Sequence, residues 1–355
     1  MLYPRSFPSL RENPLAGLRP SMSPAVSSSG PTKRSREVLA VGALVFCCLL
    51  WGWSFPTMQY ASRAFDTHTI GHANPSSLET LGARALLNGL RFLAAGLLYA
   101  LLTCKHQRRY SRSEVLGGAA VGLLFGGGML LQVLGLAWAR PSVSGFLTSL
   151  AVVFAPLAQS WTLRRPVGGV IWAAVVLALA GVTLLAWPDP TVAQGLLTAR
   201  PPLPLLGEVL TILGSVVFTV QILTIDHYGQ TANPMRLTSV MLLTLAIVSL
   251  AVAALLGGAQ LFHPATITAI AADRTVWWSL GSLILFSSVI AIPLMNTFQP
   301  RVSPATASVI YCSEPLFATL FSILLGAEHL TAPIVAGGGT VLAAVLIVAI
   351  RTGRS

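Results

Sequence analysis

Residues 300–326 read PRVSPATASVIYCSEPLFATLFSILLG, and residues 141–163 read PSVSGFLTSLAVVFAPLAQSWTL. Aligned on their prolines, the two stretches keep one offset: Pro141 matches Pro300 and Pro156 matches Pro315, each 159 positions apart. Both are apolar runs of the roughly 20 residues that a helix needs to cross about 30 Å of hydrocarbon. Each is followed by a second run rich in Gly, Ala and Val: VIWAAVVLALAGVTLLAW after the first, IVAGGGTVLAAVLIVAI after the second. Self-similarity at a long period marks an internal repeat.

Working outward, runs of the same kind recur between charged or Pro/Gly-rich breaks, at 38–61, 82–103, 115–138, 142–163, 167–187, 205–225, 235–257, 276–297, 303–326 and 332–350. They are apolar all round, without the alternating ten-residue pattern of a membrane β-barrel. The expected fold is an all-α polytopic membrane protein of ten transmembrane helices, arranged as two repeats of five. Five is odd, so the second repeat inserts upside down relative to the first, the inverted plan of many secondary transporters.

Composition agrees. Of 355 residues, 54% are hydrophobic and 9% charged, with a mean hydropathy of +0.75, too few polar side chains to coat a soluble globule. The formal charge of +11 sits in short basic runs between apolar stretches, so it reads as a topology signal and no nucleic-acid partner is expected. With the amino terminus inside, the cytoplasmic connections hold Lys33, Arg34, Arg36, Lys105, Arg108, Arg109, Arg112, Arg164, Arg165, Arg236, Arg301 and Arg351. The opposite connections hold Arg63, Arg84, Arg140, Arg200 and Arg274. Both termini are therefore expected in the cytoplasm, with the protein in the inner or plasma membrane. Residues 1–37, rich in Ser, Pro and Arg, read as a disordered cytoplasmic tail. The apolar stretch after it, about 24 residues, exceeds a secretory signal core and reads as a retained first helix.

Cys47, Cys48, Cys104 and Cys312 have neither CxxC nor metal-ligand spacing, so no metal site is expected. No GxxxxGK[ST], HExxH or GxSxG occurs, nor a pair of intramembrane aspartates. The chain therefore reads as a non-enzyme without cofactors, and ATP is excluded as its direct energy source.

The residues Trp51-Gly52-Trp53-Ser54-Phe55-Pro56, then Arg91, then Glu314-Pro315-Leu316-Phe317-Ala318 and Leu325-Gly326-Ala327-Glu328 resemble the drug/metabolite transporter superfamily and its EamA-type ten-helix transporters. The resemblance implies an EamA-like repeat over 38–187 and another over 205–350. Two features depart from the pattern. Arg164-Arg165-Pro166 stands where the first half usually ends its fourth helix with a glutamate, and residues 66–81 look inserted. The resemblance also implies a function: a secondary active transporter exporting small organic metabolites or drugs by alternating access. Its partners would be the lipid bilayer, a small-molecule substrate and protons. A facilitator or importer with the same fold, and a non-transporting scaffold or sensor, are the alternatives.

Candidate pathway residues follow from the cost of polarity in lipid. Glu314, mid-span, is an expensive carboxylate that suits a water-filled cavity and proton carriage. Arg91 differs from it in depth by about 4 to 5 Å at about 1.5 Å per residue, so contact with Glu314 or with a substrate carboxylate is open, as is outward snorkelling. Trp51, Trp53, Phe55 and Tyr311 are aromatic candidates for the cavity wall, residues 51 and 55 sharing a helix face. Gln132, Ser149, Gln159, Gln221 and Asn296 are polar lining candidates or interhelix bonds. Pro56, Pro156 and Pro315 are expected helix bends. Gly118, Gly122 and Gly126 leave one bare face on the third helix for close packing.

Overall fold

A computed structural model of the chain describes residues 33–69, 77–106, 109–135, 141–187, 204–257, 259–326 and 329–352. The expected tail falls outside these residues as far as 32, as do 70–76 of the insertion and Ala327 and Glu328. The helices are α1 (Lys33–Thr69), α2 (Ser77–Thr103), α3 (Arg112–Gly135), α4 (Pro141–Ser149), α5 (Ala151–Thr162), α6 (Gly169–Leu185) and α7 (Pro204–Gly229). They continue with α8 (Pro234–Leu256), α9 (Pro264–Ala272), α10 (Arg274–Ser282), α11 (Ala291–Phe298), α12 (Pro304–Tyr311), α13 (Ser313–Leu324) and α14 (Ala332–Thr352). A π-helical stretch, Leu283–Ile290, joins α10 to α11. No strand occurs among the described residues.

Among the described residues eight helices are long and apolar enough to cross a membrane, and Phe146–Thr162 and Gly169–Leu185 are shorter apolar helices at the expected fourth and fifth positions. The chain is an all-α polytopic membrane protein. Several helices outrun the apolar segments. Helix α1 begins at Lys33 and reaches Thr69, against an expected 38–61. The short α9, with no buried residue, was not expected between the seventh and eighth runs.

Neighbour relations repeat with a period of five segments. Helix α2 lies along α8, and α6 along α14. The pairing of α3 with α7 is mirrored by α1 with α10–α11, and that of α1 with α13 by α7 with α4–α5. Exchanging each segment with the one five places on therefore maps these pairings onto one another. Ala40 and Val41 of α1 meet Ala349 of α14 in one apolar cluster, so the first and last helices leave the bundle at the same end.

That end is tied by polar locks. Ser111 and Glu114 form a capping box: Glu114 N–H donates to Ser111 Oγ at 3.2 Å and Ser111 N–H to Glu114 Oε2 at 2.6 Å. Glu114 also accepts from Asn233 N–H at 3.3 Å and pairs with Arg236 at 3.3 Å, fastening the start of α3 to the start of α8. Arg165, in the short α5–α6 connection, pairs with Asp226 of α7 at 3.1 Å. At the opposite end Asp273 caps α10 and receives His68 at 2.9 Å. That bond, followed by the Thr275 amide, holds its carboxyl below the usual carboxylate range.

The glycine face of α3 packs as expected. A Cβ on Gly118 would lie 2.6 Å from Leu237 O, and one on Gly122 2.9 Å from Met241 O and 2.8 Å from Thr244 Cβ, so α8 approaches to backbone distance. Gly127, on another face, has nothing within 4 Å. Gly122→Val should therefore destabilise by about 1–3 kcal/mol through overpacking. Gly127→Ala should be neutral or stabilise by up to about 1 kcal/mol. Thermal unfolding of the purified protein in detergent separates them; equal losses would contradict the packing.

Candidate functional site

Two segments carry a one-residue interruption of their helical hydrogen bonding, and they are the two aligned at the outset; Leu150 and Cys312 keep right-handed helical dihedrals, so each helix continues past the point. The fourth breaks at Leu150, where Leu150 O takes both Val153 N–H and Phe154 N–H, and the ninth breaks at Cys312. Helix α1 runs unbroken through Pro56, and Pro156 sits inside α5, past the break. Pro315 lies in the first turn of α13, where a proline costs least because its missing N–H has no helical partner anyway. The carbonyl it would have served belongs to Tyr311, at the end of α12.

Glu314 is the second residue of α13, beside this break. It is partly exposed and has no hydrogen-bond or ion-pair partner among the described residues. Cys47 and Cys48 of α1 and Tyr311 lie within its electrostatic range. Tyr311 donates to Gln299 Oε1 at 2.6 Å, and Gln299 Nε2 donates to Ile222 O at 2.9 Å, binding the break to α7. The Tyr311 ring lies 5.8 Å from Trp51, Trp51 lies 6.3 Å from Phe125, and Phe125 meets Phe218 edge-on at 6.0 Å. An aromatic wall thus crosses α12, α1, α3 and α7. Gly52, next to Trp51, permits it: a Cβ there would lie 2.4 Å from Phe317 Cβ and 2.8 Å from the Phe317 carbonyl carbon.

Arg91 does not pair with Glu314. It is 5% exposed, and it reaches the π-helical stretch instead, with Nε donating to Ser288 Oγ at 2.9 Å and Nη2 to Ser287 Oγ at 2.8 Å. Pro293 explains the π-helix. Its ring excludes the carbonyl four residues back, that of Val289, and widening the preceding turns relieves the clash. Ala291 N–H accordingly reaches back five residues to Phe286 O. Trp51 Nε1 donates to Ser287 O at 3.2 Å, and Cys47 Sγ to Ala291 O at 3.3 Å, so α1 and α2 both fasten to this irregular segment.

The other expected residues divide. Trp53 donates to Ser282 Oγ at 2.8 Å and meets Phe321 edge-on at 5.3 Å. Phe55 does not share the environment of Trp51: it is 50% exposed while Trp51 is 9%, because one turn further along α1 the same face has left the cover of its neighbours. Gln132 donates to Thr148 at 3.1 Å beside the α4–α5 break, and Ser149 is partly buried at that break. Gln221, buried, reaches Met295 Sδ at 3.7 Å. Asn296 donates to Thr238 at 3.0 Å and leaves its Oδ1 without a partner. Gln159 is a helix cap, its Oε1 accepting from Ala305 N–H at 3.0 Å at the start of α12. A small, partly open crevice lies elsewhere, between α2, α3 and α8, lined by Arg84, Asn88 and Phe92 and by none of the expected pathway residues.

Sequence reasoning missed Ser287, Ser288, Gln299, Phe125 and Phe218. The one available signal was Ser287-Ser288 lying just ahead of Pro293 inside an apolar run.

Fold and site together define a polytopic helical membrane protein in which two helices are briefly interrupted, at Leu150 and at Cys312. The chain belongs to the EamA-like transporter family, whose family model matches residues 76–187 and 205–350, and it is a membrane transporter. It is 25% identical over 332 residues to a protein of Archaeoglobus fulgidus named as an uncharacterized transporter, covering 92% of this chain and 91% of the other. It is 26% identical over 307 residues to the Escherichia coli K12 protein YedA, named as an uncharacterized inner membrane transporter, covering 84% and 87%. A solved crystal structure superposes with a TM-score of 0.59 at 17% identity, over 89% of this chain and 98% of that one, a likeness of fold alone.

The Tyr311–Gln299 bond can be weighed directly. A double-mutant cycle of Tyr311→Phe and Gln299→Met, read by thermal unfolding, should give a coupling of about 0.5–1.5 kcal/mol. A coupling of zero would mean that the break is held by other contacts.

Proposed function

We propose that the protein is a secondary active transporter exporting small organic solutes by alternating access, with Glu314 carrying the coupling proton. The observation that carries this reading is a carboxylate without a hydrogen-bond or ion-pair partner among the described residues, at the break of a membrane helix in a chain of a transporter family. An intramembrane carboxylate is costly when ionised and gains from taking up a proton when its surroundings dry. Discontinuous helices at matching places in two halves are where such carriers bind their cargo.

In this reading residues 38–187 and 205–350 are the two halves, inverted with respect to one another. The exchange symmetry of the helix contacts supports it. The basic residues around Arg109, Arg164, Arg236 and Arg351 face the cytoplasm, in keeping with the positive-inside rule. The name of the Escherichia coli relative supports an inner-membrane location.

The test begins with a solute identified by comparing metabolites released from cells lacking and cells overexpressing the protein. In proteoliposomes, Glu314→Gln should abolish accumulation driven by a pH gradient while counterflow of the same solute persists. Gradient-driven transport with unchanged pH dependence in Glu314→Gln would overturn the proton-carrying role.

A further inference from the structure

We propose that Arg91, Ser287 and Ser288 form a binding site for a small monoanionic group: the carboxylate of the carried solute, or a halide such as chloride when that solute is absent. As a step in transport it deepens the reading above, whereas the binding itself does not depend on that reading.

The case starts from charge. Arg91 lies in the middle part of α2, buried, and makes no ion pair with any described residue. A guanidinium keeps its proton under all ordinary conditions, so its charge cannot be shed as that of a carboxylic acid can. In a low-dielectric interior an uncompensated cation carries a heavy desolvation penalty, and intramembrane charges as a rule pair with an opposite one. The groups that hold Arg91 supply dipoles only: the hydroxyls of Ser287 and Ser288 and the ring of Phe92, whose centroid lies 4.9 Å from its Cζ.

The hydrogen-bond inventory then gives the sign of the missing partner. Of the five N–H groups of Arg91, two donate to the serines, and Nη1 has no acceptor among the described residues. Ser288 donates its own proton to Leu283 O at 3.2 Å and so turns a lone pair to Arg91. Ser287 accepts from Arg91, while its own proton has no acceptor among the described residues. Free donors gather here without a matching acceptor. A cation would be repelled and a neutral donor left unserved, whereas a carboxylate or halide answers both the charge and the donors.

The place suits a solute. The Ser287 carbonyl takes the indole N–H of Trp51, and Trp51 lies against Tyr311, three residues before Glu314. An anionic group on Arg91 would therefore sit on the Trp51 side of the aromatic wall, with Glu314 near the next ring, Tyr311. The widened π-helical register suits the arrangement: Ser288 Oγ reaches back five residues to Leu283 O while it accepts from Arg91.

The experiment is a thermal-unfolding titration of the purified full chain in detergent with sodium chloride and, separately, sodium acetate, ionic strength being held constant with sodium sulfate. The expected result is a saturable rise in midpoint, with an apparent affinity at least about tenfold weaker in Arg91→Gln. A rise with acetate alone identifies a carboxylate site, and a rise with both identifies a site that holds chloride when the solute is absent. No saturable rise with either salt in the unaltered protein, or equal affinities in Arg91→Gln, would overturn the proposal. If Arg91→Gln does not fold, Ser287→Ala, which keeps the charge and loses the free hydroxyl proton, should weaken the affinity by about threefold or more, and an unchanged affinity would overturn it. Glu314→Gln should retain the anion response, so failure of the proton-coupling reading and failure of this site are told apart.

Discussion

Hydrocarbon offers no hydrogen bonds, and this one property of the solvent governs the molecule. Every backbone N–H and carbonyl inside the membrane must be paired within the protein. Continuous helices meet that demand unaided, and α2, α3, α7, α8 and α14 do so. The eighth and ninth segments do not, and side chains from elsewhere in the chain serve them. Gln159 caps the start of α12, Gln299 and Tyr311 hold the α12–α13 break against α7, and Trp51 and Cys47 occupy carbonyls of the π-helical stretch and its exit. Irregular backbone is confined to places where protein can satisfy it, and the same places gather the chemistry.

Close approach of smooth helices makes this arrangement possible. Backbone contact between α3 and α8, and between Gly52 of α1 and Phe317 of α13, brings breaks and aromatic side chains into register. In a membrane the gain from such contacts comes from packing and from polar bonds, because lipid tails cover an apolar surface as well as another helix does. Ion pairs are placed at the bundle ends, at Glu114–Arg236, Arg165–Asp226, Arg84–Asp66 and His68–Asp273. Among the described residues, Arg91 and Glu314 are ionisable groups within apolar helices that form no ion pair. A carrier needs such uncommitted groups, since a permanently paired charge has nothing left to offer a solute or a proton.

Much of this was legible in the sequence for simple reasons. Apolar runs of membrane length have no soluble alternative, and a glycine every fourth residue in α3 can serve only one face. The matched prolines lie in the two segments whose helical hydrogen bonding is interrupted. The details failed where period and composition do not change. A π-helical turn looks like an α-helical one in sequence, so the rotation that carries Ser287 and Ser288 to Arg91 was hidden. Phe55 and Trp51 share a helical face, yet neighbouring helices cover only one of them. The interruption at Cys312 precedes Pro315, since a proline disturbs the carbonyls of the turn before it more than its own.

The central claim is that the break beside Glu314 faces a water-filled path opening to each side of the membrane in turn. Side-specific alkylation tests it most directly: in a chain whose four native cysteines are replaced by serine, Glu314→Cys is exposed to a membrane-impermeant maleimide from one face of the membrane and then from the other. The account predicts modification from both faces, with solute raising reactivity toward one as it lowers reactivity toward the other. Modification by a lipid-soluble maleimide alone, with neither face reactive to the impermeant reagent, would contradict it.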